Sequence, residues 1–139
     1  MKFICNKDTI LSVVQTTSKA AAGKSSIQAL EGILMELEGN TLTVTGYDLD
    51  IGIKTSIEVE GIESGNIVIS AKMAVDIIRK MPSGSITFEC SGNNLAEITN
   101  NMTSFSVSCS SADDYPNVPQ VNPDTSFTMP QKLLKSMII

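Results

Sequence analysis

The stretch that comes nearest to a chemical motif is Ser18-Lys-Ala-Ala-Ala-Gly23-Lys24-Ser25. It resembles the phosphate-binding loop GxxxxGK[ST], in which backbone amides and a lysine cradle a nucleotide's phosphates. Ser18 stands where the first glycine belongs. The stretch also follows a predicted helix and leads into a predicted strand, the reverse of the order that presents a helix N-terminus to phosphate. A small nucleotide hydrolase is therefore an alternative with both context requirements unmet. Asp48 and Asp50 lie two residues apart and share a face if extended, yet two carboxylates without further ligands make a poor cation site. A polar turn before a strand explains them better, and Asp113-Asp114 reads as a solvated loop pair. The sequence has no histidine, which removes histidine triads and proton shuttles. Its three cysteines, Cys5, Cys90 and Cys109, lack metal-ligand spacing and are expected as buried, reduced thiols. No catalytic residue, metal site or cofactor is expected.

The basic residues carry more information. Ten face fifteen acids, for a net charge of −5. That total argues against a nucleic-acid binder but is silent on distribution. Lys72, Arg79 and Lys80 fall on the polar side of a predicted helix, together with Asp76. Lys132 and Lys135 do the same on a later one. Lys7 opens the first helix, and Lys19 and Lys24 follow its end. Glu31, Glu36, Glu38, Glu58, Glu60, Glu63, Asp113, Asp114 and Asp124 fall on strands and loops instead. A basic helical face on an acidic protein suits sequence-independent contact with phosphate backbones. It is equally the solvated side that amphipathic helices commonly carry.

The elements that hold these residues repeat. Lys2-Phe-Ile-Cys-Asn-Lys-Asp-Thr-Ile-Leu, Asn66-Ile-Val-Ile-Ser-Ala-Lys-Met-Ala-Val and Ser126-Phe-Thr-Met-Pro-Gln-Lys-Leu-Leu-Lys each give a short strand, a helix-starting residue and an amphipathic helix. Phe3, Ile67 and Phe127 correspond, and Cys5, Ile69 and Met129 follow on the same face. Asn6 and Ser70 suit an N-cap, and Pro130 suits a first turn. The apolar stripes are Ile10, Val13, Val14; then Ala74, Ile77, Ile78, Met81; then Leu133, Leu134, Met137, Ile138, and all three are expected in a core. Strands follow each of the first two helices: Ala29 to Glu38, Leu42 to Val44 and Ile51 to Val59, then Ile86 to Cys90, Leu95 to Thr99 and Phe105 to Cys109. Each half thus reads βαβββ. The fold class is α+β, with antiparallel sheet on one side and two helices on the other. The first domain covers residues 1–110, in repeats of about 1–60 and 66–110. A proline-punctuated linker covers 111–125, and the interrupted start of a second domain covers 126–139. With 42% hydrophobic and 4% aromatic residues the core must be aliphatic. No apolar run approaches the roughly 20 residues of a membrane span, and no signal peptide is evident, so a cytoplasmic protein is expected.

The start Met1-Lys-Phe, the run Thr45-Gly-Tyr-Asp-Leu-Asp-Ile-Gly-Ile, the helix Ala71-Lys-Met-Ala-Val-Asp-Ile-Ile-Arg-Lys-Met-Pro and the stretch Ser111-Ala-Asp-Asp-Tyr-Pro-Asn-Val-Pro resemble the bacterial DNA polymerase III sliding clamp, or β subunit, family. The likeness runs along essentially the whole chain. It implies a non-catalytic processivity subunit with three domains, closed head-to-tail into a homodimeric ring around double-stranded DNA. Helices line the hole. DNA polymerase III and a clamp loader are the implied partners. Lys24 then occupies a DNA-facing loop where the family often has arginine. Lys72 and Arg79 sit on the second inner helix, with Lys7, Lys19, Lys80, Lys132 and Lys135 as further phosphate contacts. Phe105 and Val107 lie on the edge strand implied to meet the partner's third domain. Ile27-Gln28-Ala29-Leu30 departs from the family, many members of which have proline there. The rival reading is a stand-alone α+β interaction module without DNA binding.

Overall fold

The structure is a computed structural model that describes residues 1–139. The first motif gives strand β1 (Lys2–Asn6) and helix α1 (Lys7–Ser18). Strands β2 (Gly32–Glu38), β3 (Thr41–Tyr47), β4 (Gly52–Glu58) and β5 (Glu60–Glu63) follow. The second motif gives β6 (Gly65–Ser70), helix α2 (Ala71–Lys80), β7 (Ser85–Cys90), β8 (Leu95–Thr99) and β9 (Ser104–Ser110). A last helix, α3, spans Gln131–Ile138. The Asn6 side chain accepts the Asp8 amide and Ser70 accepts the Met73 amide, so both expected caps form. Pro130 acts as the cap residue of α3 itself, with Gln131 opening the helix.

All strand pairings are antiparallel, in the order β4-β3-β2-β6-β9-β8-β7-β1-β5. The first strand of each repeat pairs inside the other repeat: β1 lies along β7 with Phe3 opposite Phe88, and β6 lies along β2 with Ile69 opposite Ile33. The rings of Phe3 and Phe88 stack at 5.1 Å. Only Val59 separates β4 from β5, so the two ends of the strand order are joined by one bent run of chain. The Ile51-to-Val59 strand expected from the sequence is β4, with Ile51 lying before it, exposed, and β5 is a further strand that the alternation did not mark.

Helices α1 and α2 cover one side of this sheet. Lys7 at the start of α1 donates its amide to Gly84, just past the end of α2, at 2.8 Å. At the other end, Ser18 and Ala21 share a hollow with Ser70 and Ala71. The helices therefore run antiparallel, side by side. They bury equivalent positions: Ile10, Val13, Val14 and Thr17 from the first, and Ala74, Ile77, Ile78 and Met81 from the second stretch. The seven apolar ones belong to one core of 25 residues. Thr17 is the polar exception, satisfied by donating to the Val13 carbonyl at 2.9 Å. Its carbonyl lies where α1 closely approaches the sheet, against Gly46 of β3.

Three expectations change. Residues 28–31 form a 3-10 turn (Gln28–Glu31), and β2 begins only at Gly32. Gly32 is where β6 becomes available as a partner, and a Cβ there would lie 2.6 Å from Val68 Cγ1 and 2.7 Å from the Ile69 carbonyl oxygen. The start of the expected linker is packed. Tyr115 is buried with Leu30, Tyr47 and Val68, its hydroxyl donates to the Thr45 carbonyl at 3.3 Å, and Val118 packs against this second cluster. Burial pushes the Tyr115 pKa up to about 12, with a backbone hydrogen bond to Tyr47 acting the other way. The third stripe is not in a core: α3 buries none of its residues, and Leu133, Leu134, Met137 and Ile138 are all exposed.

A Cβ at Gly46 would collide with the Thr17 carbonyl oxygen, a backbone atom that cannot step aside without moving α1. Gly46→Ala is expected to destabilise the chain by about 3 kcal/mol or more in urea denaturation. A loss below about 1 kcal/mol would contradict this close approach.

Candidate nucleic-acid interface

The antiparallel helix pair sorts the candidate cations into two ends of one surface. At the first end, α1 stops at Ser18, and the chain turns through Lys19 and Lys24. Here Gly23, Ser18 and Ala21 line a hollow together with Lys72, Asp76 and Glu31. At the second end, Lys7 is bonded through its amide to Gly84, in the chain that leaves α2 just after Arg79 and Lys80. Lys19, Lys24, Lys72, Arg79 and Lys80 are exposed and Lys7 is half-buried. Side-chain ion pairs closer than 4 Å involve none of them; the one lysine so engaged is Lys2, with Glu89 at 3.6 Å. Unpaired lysines and arginine on an exposed helical surface can exchange counterions for phosphates without first breaking an internal bridge. Between the two ends α1 contributes Thr9, Ser12 and Thr16, exposed and uncharged, and one acid, Asp8.

The structure does not join Lys132 and Lys135 to this surface. They sit on α3, which no hydrogen bond or ion pair ties to the domain.

The alternative chemistries fare differently. In the stretch that resembles a phosphate-binding loop, the amides of Lys19, Ala20, Ala21 and Ala22 already donate to the carbonyls of Thr16, Thr17, Ser18 and Leu30. The Ser25 amide donates to a Glu31 carboxylate oxygen at 3.1 Å. A phosphate cradle needs such amides open and converging. Asp48 accepts the amides of Ile51 at 2.7 Å and Asp50 at 2.9 Å, which holds its pKa below the usual carboxylate range. That carboxylate builds the turn, where Leu49 takes a φ of +79°. The thiols of Cys90 and Cys109 lie 3.1 Å apart in the core. Burial pushes the Cys5 and Cys109 thiols up to about 12, so they stay protonated and inert.

The expected subunit contact falls on Phe105 and Val107 of β9. Val107 is 6% exposed and belongs to the core, and Phe105 is half-buried against it. Serines 104, 106, 108 and 110 take the outward positions. The Cys109 amide donates toward β8, to the Asn94 carbonyl at 2.9 Å, so the backbone groups of Phe105 and Val107 point the same way. Those of Ser104, Ser106 and Ser108 point to the other edge, where β6 pairs only with Cys109 and Ser110. The result is a half-open strand edge, a template for a further strand. Alternation of serine with apolar residues was the signal for this sidedness.

Residues 1–119 match the family described as DNA polymerase III beta subunit, N-terminal domain. The Beta sliding clamp of Halalkalibacterium halodurans is 31% identical over 146 residues, covering 99% of this chain and 38% of the relative. A crystal structure of a DNA polymerase III beta subunit from Eubacterium rectale superposes with a TM-score of 0.93 at 31% identity, over 99% of this chain and 38% of that one. The Helicobacter pylori beta clamp bound to a DNA ligase peptide shares the fold, with a TM-score of 0.81 at 24% identity over 88% of this chain and 34% of that one. The chain thus spans about two fifths of the length of these relatives.

The β9 geometry is open to amide hydrogen exchange. In the chain alone, Ser104, Ser106 and Ser108 are expected to exchange at least about tenfold faster than Phe105, Val107 and Cys109. Equal protection along the strand would mean that the edge is covered.

Proposed function

Because the chain belongs to the DNA polymerase III beta subunit family, as its N-terminal domain, we propose that it forms the first domain of a sliding clamp, a ring that encircles duplex DNA. It does no chemistry on the DNA. It holds the duplex by weak, sequence-independent phosphate contacts and keeps DNA polymerase III attached through the ring it helps to close.

The observation that carries this reading is the gathering of unpaired Lys7, Lys19, Lys24, Lys72, Arg79 and Lys80 on the surface of one antiparallel helix pair. Acids predominate on the strands and loops instead. A ring needs no tight grip, because escape is blocked topologically. Mobile lysines touching phosphate suit movement along the duplex, whereas contacts that read bases would cause pausing. Lys24 offers a point charge rather than a guanidinium fork, which loosens its hold further.

The remaining parts of the ring follow the same reading. The half-open edge of β9 receives a strand from the last domain of a second, head-to-tail subunit. Residues 126–139 begin the next domain, since they repeat the strand-cap-helix motif, and Lys132 and Lys135 extend the basic lining there. Elements supplied by that domain cover the apolar face of α3. A clamp loader opens the ring, and repair partners dock on it, as the ligase peptide does on the H. pylori clamp.

Charge reversal at Lys24, Lys72 and Arg79 together, in the full-length protein, is expected to shorten retention on circular DNA by about tenfold or more at moderate salt. The melting temperature should stay within about 2 °C, since all three are exposed. Unchanged retention at low salt would remove these residues from the interface and favour an interaction module that does not hold DNA.

A further inference from the structure

The loop that carries Lys24 lies between Ser18 and the 3-10 turn at Gln28 and has no strand or helix of its own. Flexible loops of this kind present a lysine at many positions at once, and the entropy of fixing it on a phosphate weakens the contact. Here the loop is tied down. The Ala22 amide donates to the Leu30 carbonyl at 2.8 Å, the Ile27 amide donates to the Ser25 hydroxyl at 3.1 Å, and the Ser25 amide donates to Glu31 Oε1 at 3.1 Å. The last is the bond nearest Lys24 in the chain, and its acceptor is a full carboxylate.

Glu31 is, with Asp76, one of two acids in the hollow that holds Gly23 and Lys72. A carboxylate beside a phosphate path is a cost unless it does something else. It makes no ion pair with Lys24 or Lys72 within 4 Å. It accepts the backbone amide one residue beyond Lys24 and leaves the ammonium group free. We propose that Glu31 is a positioning residue: its carboxylate holds the Ser25 amide and so fixes the Lys24 loop beside Lys72, ready for phosphate. This rests on the reading of Lys24 as a phosphate contact.

Two substitutions separate the hydrogen bond from the charge. Glu31→Gln keeps an acceptor oxygen and loses the charge, whereas Glu31→Ala loses both. Glu31 is exposed, so neither substitution threatens the core. The whole chain is used, with amide exchange read at Ser25 and affinity read by NMR titration with a short mixed-sequence duplex at low salt. Glu31→Ala should speed Ser25 exchange about fivefold, and Glu31→Gln should leave it within about twofold. Lys24→Ala should weaken duplex binding about threefold in the unaltered chain and in Glu31→Gln, but scarcely at all in Glu31→Ala. Ser25 exchange unchanged in Glu31→Ala would overturn the positioning role alone. Glu31→Gln behaving like Glu31→Ala would do the same, since charge and not the hydrogen bond would then matter. No effect of Lys24→Ala in the unaltered chain would overturn the phosphate contact and this proposal with it.

Discussion

Everything in this domain depends on the exchange of first strands between its two repeats. Neither repeat completes its own sheet: β1 needs β7 and β6 needs β2. Antiparallel pairing of two crossed strands gives the molecule an approximate twofold, and a twofold sets the helices that follow those strands antiparallel. The caps Asn6 and Ser70 start both helices at the ends of the exchanged strands. The core then fixes their rotation, because equivalent residues, Ile10 with Ala74 and Val14 with Ile78, must point inward. What is left outward is one shared helical surface. The close approach of α1 to Gly46 shows how little slack this packing has.

That surface resolves the conflict between an acidic chain and a phosphate partner. The net charge of −5 is a sum over the whole molecule, whereas binding responds to the local field. Lys72 and the chain that carries Lys19 and Lys24 lie at one end of the helix pair, and Lys7, Arg79 and Lys80 at the other, without side-chain ion pairs. The acids close to them are engaged locally or flank the surface: Glu31 holds a loop amide, and Asp76 lies half-buried in the same hollow. Asp48, elsewhere, builds a turn.

The sequence made the repeats, the caps, the first two helical stripes and most strands legible, because each depends on local pattern: a capping side chain, a period of 3.6 or a period of 2. What it hid depends on partners distant in the chain. Residues 29–31 look extended, but strand geometry begins only where β6 can pair, at Gly32. Tyr115 sits in a polar, proline-marked stretch, and its burial is decided by Leu30, Tyr47 and Val68, far away in sequence. Val107 sits on an apolar-alternating strand, and alternation turns it inward and leaves backbone at the edge. The stripe of α3 is as regular as the others and is exposed, since a stripe shows what a helix can bury and not whether a partner is at hand. The basic residues were legible one by one, whereas their meeting at two ends of a helix pair follows only from the antiparallel fold.

The most direct test of the account is a lysine acetylation footprint of the full-length protein, free and closed on circular DNA. Lys24, Lys72 and Lys80 on the helical surface should lose reactivity on DNA, while Lys54 on β4 and Lys2, paired with Glu89, stay as they were. Protection of Lys54 with the helical lysines still reactive would put DNA against the sheet and contradict the account at its centre.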